Sequence, residues 1–257
     1  MGTITKALSL LNQFSRQRPE IGLIEMTKIT GRDKATVHRH LSELTENGFL
    51  EQNAVSRLYR LGPAILRLAS VRETNHPIRR ILRPIVEEAA ETIGELAHFS
   101  LLQGDILSPV FHHEPRMHGT QVSFDEAETL PLHATASGLA VLAFGPEKLA
   151  DSVLSGELER FTEETVTDPA AIRDLMQNTR KSGFAFSPLS FDREVSSLAV
   201  PIIGAQGHAI GGISIAIPQV RFDEGKKEEA QKVLGKIVVK TCETLGSELP
   251  GAFIGAS

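Results

Sequence analysis

Two clusters of residues in this 257-residue chain have types and spacings that can do recognition chemistry. The first runs from Lys34 to Glu46. At about 100° per residue, Val37, Leu41 and Leu44 fall on one buried stripe of a helix. The opposite face then carries Ala35, Arg39, Ser42 and Glu46, with Thr36, His38 and Glu43 on its flanks. Small and hydrogen-bonding side chains near the N-terminal end, with Arg39 central, suit a helix laid into the major groove of double-stranded DNA. Lys34 at the start of that helix sits near phosphate. His40 flanks the apolar stripe and reads as a half-buried structural histidine. Further on, Arg57 shares a strand face with Tyr59 and offers a phosphate or minor-groove contact.

The second cluster is Leu130-Pro131-Leu132-His133-Ala134-Thr135-Ala136-Ser137-Gly138, which leads into a helix. Unused backbone N–H groups and the helix dipole make an anion site there. Thr135 and Ser137 add hydroxyls, and a small carboxylate suits the whole. Simple capping by the same hydroxyls is the plain alternative. Gly212-Ile213-Ser214-Ile215-Ala216-Ile217 alternates strictly, so the isoleucines face one side and Gly212, Ser214 and Ala216 the other. That small, slightly polar face leaves room for a closely packed helix or for a ligand.

Enzyme chemistry finds little support. No G-x-S-x-G elbow surrounds Ser137 or Ser214, and no phosphate loop, dinucleotide fingerprint or H-E-x-x-H occurs. No cofactor is expected. His112 and His113 are adjacent on an expected strand, so they point to opposite faces and cannot share a metal. Nothing in the spacing of His113, His118 and His133 demands a metal either. Cys242 lies on the apolar stripe of the last helix and reads as core. With one cysteine, no signal core at the N-terminus and no apolar run near the ~20 residues of a membrane span, a cytoplasmic protein without a membrane partner is expected.

The elements that must position these clusters fall into two parts of opposite charge. Residues 1–83 hold 14 Lys/Arg and 7 Asp/Glu, and residues 84–257 hold 13 and 25, so the overall net charge of -5 divides into +7 and -12. A basic head attracts polyphosphate and an acidic body is repelled by it. In the head, Ala7, Leu8, Leu11 and Phe14 give a first helix, Leu23 to Ile29 a second, and Asp33 is the expected N-cap of the third. Phe49 to Gln52 and Arg57 to Leu61 form a basic hairpin, which makes the head a winged helix-turn-helix. After the break at Asn75-His76-Pro77 comes another amphipathic helix, with Arg79, Arg80 and Arg83 near its start, facing either DNA phosphate or solvent. Two hairpins follow, 98–103 with 106–112 and 199–203 with 209–217, separated by three helical stretches and followed by a long helix. Strands, helices, then strands again indicate an α+β body with an antiparallel sheet and flanking helices. The expected division is 1–74 for the winged head, 75–94 for a linker helix and 95–257 for the body.

The chain resembles the IclR family of bacterial transcriptional regulators over almost its whole length. The head carries the resemblance in Ala7-Leu8-Ser9-Leu10-Leu11, Thr36-Val37-His38-Arg39-His40-Leu41, Asn47-Gly48-Phe49-Leu50-Glu51 and Tyr59-Arg60-Leu61-Gly62. The body carries it in the 130–138 segment, Gly183-Phe184-Ala185, Val195 to Pro201, and Gly211 to Pro218 followed by Arg221-Phe222. The resemblance implies a GAF-like effector domain and dimers or dimers of dimers. It implies promoter binding, by repressors or activators, that small organic acids or aromatic metabolites modulate. It also implies an effector pocket lined by Ala134, Thr135, Ala136, Ser137, Gly138, Ser197 and the Gly212–Ala216 strand. The chain departs from the family pattern at Leu139, where a lysine is usual, at His40, where an aliphatic residue is usual, and at Ser187, where an acid is frequent. A metabolite-binding body whose head contacts protein instead of DNA is the alternative.

Overall fold

The computed structural model describes residues 2–254. Met1 of the 1–74 stretch and the last three residues of the 95–257 stretch lie outside the described residues. The chain forms two compact units, one ending at Ile78 and the other starting at Arg79.

In the first unit, α1 (Thr3–Leu11), α2 (Leu23–Thr30) and α3 (Lys34–Glu46) are followed by the antiparallel hairpin of β1 (Leu50–Gln52) and β2 (Tyr59–Leu61), then by α4 (Pro63–Asn75). Leu10, Phe14, Ile21, Met26, Val37, Leu41, Leu44, Leu50 and Tyr59 make its core. Asp33 caps α3 by accepting from the Thr36 amide at 2.8 Å. Hydrogen bonds from Thr36 hold the Asp33 carboxyl below the usual carboxylate range. The returning strand begins at Tyr59, two residues later than its sequence suggests. Tyr59 exchanges both backbone hydrogen bonds with Ile21, at 2.9 Å each, and its ring is buried. Arg57 therefore does not share a strand face with it. Arg57 lies in the turn, exposed and in the left-handed region at φ 60, with its amide on the Asn53 carbonyl and its own carbonyl accepting from Gln52 Nε2.

His40 is buried more deeply than a flanking position implies, at 1% exposure, because the buried stripe of α3 is wider and takes in Val37, His40, Leu41 and Leu44. Both ring nitrogens are buried without a hydrogen-bond partner. Leaving buried polar atoms unpaired costs about 1–3 kcal/mol. The variant His40→Leu is thus expected to stabilise the head by about that amount. A denaturant melt showing no gain would contradict this.

All of α5 (Ile78–Ile93) but its first residue opens the second unit, and it is part of the stretch expected to be a linker. Its face of Leu82, Ile85, Val86, Ala89, Ala90 and Ile93 is buried. Next come β3 (Leu96–Gln103), β4 (Ile106–His113), β5 (Leu130–Pro131), α6 (Ala136–Phe144), α7 (Glu147–Leu154) and α8 (Pro169–Ser182). The chain continues through β6 (Ala185–Pro188), β7 (Val195–Ile203), β8 (Ala209–Pro218) and α9 (Glu224–Leu245). The six strands form one antiparallel sheet in the order β5-β4-β3-β8-β7-β6. Helix α6 packs on β7 and β8 from the side of Gly212, and α9 also packs on these strands. Ile213, Ile215 and Ile217 point the other way and are fully buried. Two glycines make the close approach of α6 possible. A Cβ on Gly138 would lie 2.4 Å from the Leu132 carbonyl oxygen, and one on Gly212 would lie 3.1 Å from Ser137.

Candidate DNA-facing helix and effector cavity

On α3, Lys34, Ala35, His38 and Arg39 are exposed, and Thr36 and Ser42 are half-buried. The side opposite the Val37–Leu41–Leu44 stripe therefore presents two cations and small hydrogen-bonding groups without a covering element from its own unit. Arg57 adds a third cation from the hairpin turn.

In the second unit a cavity of about 80 Å³ forms where the start of α6 meets β3, β8 and the irregular segment before β5. Thr135, Ala136, Ser137, Ser197, Ser214 and Ala216 border it. Ala134, Gly138 and Gly212 do not. The Ala134 carbonyl is bonded by Ser187 Oγ at 3.0 Å, and the two glycines are occupied with helix packing. The small face of β8 is thus shared, its Gly212 end by α6 and its Ser214 and Ala216 end by the cavity.

At the start of α6 the capping expected of the hydroxyls is present. Thr135 Oγ1 accepts from the Gly138 amide at 3.1 Å and the Thr135 carbonyl from Leu139 at 2.9 Å, so the residue is a true cap. The amides of Ala136 and Ser137 are left over within the helix, with its positive dipole end behind them. Ser214 Oγ donates to the Leu198 carbonyl at 2.9 Å, which holds that hydroxyl in place.

Other bordering residues carry no signal in a single sequence. His98 pairs across strands with Ser214 on one side and His112 on the other, which puts it on the cavity face. Burial, with a smaller contribution from the His112 charge, pushes its pKa down to about 3, so its ring is neutral at pH 7. Phe124 covers the region, its ring centroid 4.5 Å from that of His98 and 5.2 Å from that of His112. Glu126 anchors this segment by accepting from His112 Nδ1 at 2.8 Å and from its amide at 3.2 Å. Asp125, Glu128 and Asp192 bring negative charge to the rim. Among the described residues no lysine or arginine borders the cavity.

The histidines considered for metal go separate ways. His113 bonds Glu91 at 2.7 Å, His118 lies 4.0 Å from Glu95, and His133 bonds the Glu159 carbonyl at 2.9 Å. No cluster of three ligating side chains is found among the described residues. Arg83 pairs with Glu87 at 2.8 Å and lies over the Phe111 ring. An open groove of about 890 Å³ runs along α9, lined in part by Lys232, Lys236 and Lys240, and is larger than the cavity.

Comparison with known proteins matches residues 3–54 to the IclR helix-turn-helix domain and residues 72–243 to the C-terminal domain of bacterial transcriptional regulator IclR. The chain belongs to the IclR family. Its function is therefore that of a transcriptional regulator with a helix-turn-helix DNA-binding domain, and the family is one of regulators, not enzymes. The crystal structure of an IclR transcriptional regulator from Silicibacter sp. TM1040 is similar to this IclR chain at 42% identity and a TM-score of 0.87. The match covers 98% of this chain and 99% of that one. The HTH-type transcriptional regulator KipR of Bacillus subtilis is 29% identical, with 87% of this chain and 89% of KipR covered. An IclR homologue of Microbacterium hydrocarbonoxydans, crystallised with 4-hydroxybenzoate, is 25% identical with a TM-score of 0.74, and 94% of this chain and 100% of the homologue are covered. The mixed helical and antiparallel architecture of this IclR protein is that of its solved relatives. No helix among the described residues is long and apolar enough to cross a membrane.

Proposed function

We propose that this regulator binds promoter DNA through α3 and the hairpin turn, and that a small organic acid in the C-terminal cavity modulates its operator affinity. The observation that carries the effector half is that Ala136 and Ser137, the first residues of α6, border a cavity that Phe124 also lines. Its volume of about 80 Å³ is roughly half that of an engineered cavity that takes up benzene, ~150 Å³. That favours a compact carboxylate. An aromatic acid is the second reading, supported by the 4-hydroxybenzoate in the Microbacterium relative and by Phe124 and Phe191 at the rim, and it requires the cavity to widen.

The proposal assigns Lys34, Ala35, Thr36, His38, Arg39, Ser42 and Arg57 to DNA. It assigns Thr135, Ala136, Ser137, Ser197, Ser214 and Ala216 to the effector, with Ala134, Gly138 and Gly212 as supports. Residues 1–74 act as reader and 95–257 as sensor, with 75–94 between them, in a homodimer or dimer of dimers working in the cytoplasm. A twofold dimer reads a near-palindromic site with half-sites about one helical turn apart or a multiple of it. The effector shifts DNA affinity only by its different affinity for two arrangements of that assembly, a coupling of about 5–150-fold in typical cases.

The test is anisotropy binding to the DNA upstream of the protein's own gene. Arg39→Ala is expected to lose about 1–3 kcal/mol on the operator, because a base contact is removed. Arg57→Ala is expected to weaken all sequences alike and to reduce the salt slope by about one. Retention on DNA that ignores salt would favour a head that contacts protein. Repeating the titration with small carboxylates and phenolic acids identifies the effector class as the compound that moves both DNA affinity and melting temperature.

A further inference from the structure

We propose that His98 donates a neutral hydrogen bond to the effector from Nε2, and that the cavity thereby selects singly charged carboxylates against doubly charged ones. The inference rests on the reading that the cavity is the effector site.

Ser100 sets the tautomer of His98. Its side chain is fully buried, and its Oγ lies 3.3 Å from His98 Nδ1, the one side-chain hydrogen bond Ser100 makes among the described residues. A buried hydroxyl proton needs an acceptor, and Nδ1 is the acceptor beside it. With Ser100 donating to Nδ1, the ring proton of neutral His98 resides on Nε2. The side chain is 5% exposed and borders the cavity, and Nε2 has no protein partner among the described residues. His98 is thus a buried donor with its acceptor still to come. Its position is fixed from three sides, by Ser100, by the Phe124 ring and by its place between β4 and β8.

The residues His98, Ala136, Ser137 and Ser197 border the cavity, and the donors they offer are all uncharged: an imidazole N–H, two helix-start amides and two hydroxyls. The start of α6 contributes a positive end equivalent to about half an elementary charge. That balances one carboxylate in part. A second carboxylate would meet no lysine or arginine among the described residues that border the cavity, and would lie near the exposed carboxylates of Glu128 and Asp192. Like charges at that rim repel it. A hydroxyl on the ligand, in contrast, finds acceptors in the rim carboxylates.

The experiment is calorimetric titration of the full chain with lactate and 3-hydroxybutyrate against malonate and succinate, and with benzoate against phthalate. The monocarboxylate of at least one matched set should bind about tenfold or more tightly than its dicarboxylate. Its affinity should stay flat between about pH 6 and 8, because a neutral donor does not titrate there. His98→Phe should weaken that ligand about tenfold or more, and His98→Gln, which keeps an N–H donor, should restore much of the loss. A preferred dicarboxylate, an affinity that climbs on acidification, an unaffected His98→Phe protein, or no binding of any monocarboxylate at millimolar concentration would each overturn the proposal. Ala216→Leu, which fills the cavity, separates the two levels. If it leaves binding intact, the cavity reading itself fails. If it abolishes binding while His98→Phe does not, only the role of His98 fails.

Discussion

Replacing Arg221 by methionine is expected to destabilise the C-terminal unit by about 3–5 kcal/mol, the usual effect of removing one partner from a buried ion pair. Glu95, just before β3, is 2% exposed, and Arg221, just after β8, holds it with two bonds of 2.7 and 2.6 Å. The Glu95 hydrogen bond raises the Arg221 pKa further, so the guanidinium stays charged. Methionine preserves much of the side-chain volume but leaves a buried carboxylate without its counterion. His118 Nε2, 4.0 Å from Glu95, is too far to take over the two bonds. Arg221 also donates to the Thr120 carbonyl at 2.9 Å, which ties down the irregular segment whose next residues, Val122 to Asp125, border the cavity. The variant should therefore lose effector-induced thermal stabilisation as well as intrinsic stability. The double variant Glu95→Leu, Arg221→Met should recover much of the stability, since no buried charge remains, but not the anchoring of Thr120. A single variant that melts like the wild type would show that the pair contributes nothing.

What the sequence reveals of this molecule follows from how local each signal is. The stripe Val37–Leu41–Leu44 and the cap at Asp33 lie within one helix and its flank, so periodicity alone places α3 and exposes Arg39. The turn Gly104-Asp105 announces β3 and β4, and its register follows, with Gln103 opposite Ile106. His40 shows the limit of a periodic reading. Three apolar residues define the centre of a stripe but not its width, and the head packs around α3 widely enough to take the histidine in. Tyr59 shows another limit. Its alternation with Arg57 is real only if both lie in the strand, and the pairing of Tyr59 with Ile21 begins the strand later. The cavity is the least legible part, because it is assembled from segments far apart in the chain. His98 faces Ser214 only because β3 inserts between β4 and β8, and Phe124 arrives from a stretch without periodicity. The alternation of Gly212 to Ile217 correctly marks a face needing room. Whether helix or ligand takes that room depends on where along the strand α6 ends, which no spacing within the strand encodes.

Acidification should weaken the C-terminal unit through His98 well before ordinary carboxylates are protonated. In the unfolded chain this side chain takes up a proton near its ordinary value of 6.5, whereas in the fold it resists protonation down to about 3. Between those limits the unfolded state binds more protons than the folded state, so stability falls as pH falls. The contribution is fully present above about pH 6.5, declines at roughly 1.4 kcal/mol per pH unit, and is gone near pH 3. At about pH 5 the expected loss is ~2 kcal/mol from this residue, a large share of the stability of a typical domain. The cause is physical and local: a protonated ring would sit in a buried site beside His112, with no lysine-like route to solvent. Other groups titrate over the same range, so the informative quantity is the difference between wild type and His98→Gln. Denaturant melts of both at about pH 7 and about pH 5 should show the wild type losing ~2 kcal/mol more than the variant. The His112–Glu126 bond remains in both proteins and cancels in the comparison. Equal acid losses would mean that His98 takes up its proton in the folded state as readily as in the unfolded one. The ring would then be charged in mildly acidic solution and would hold a carboxylate by charge instead of by a neutral N–H.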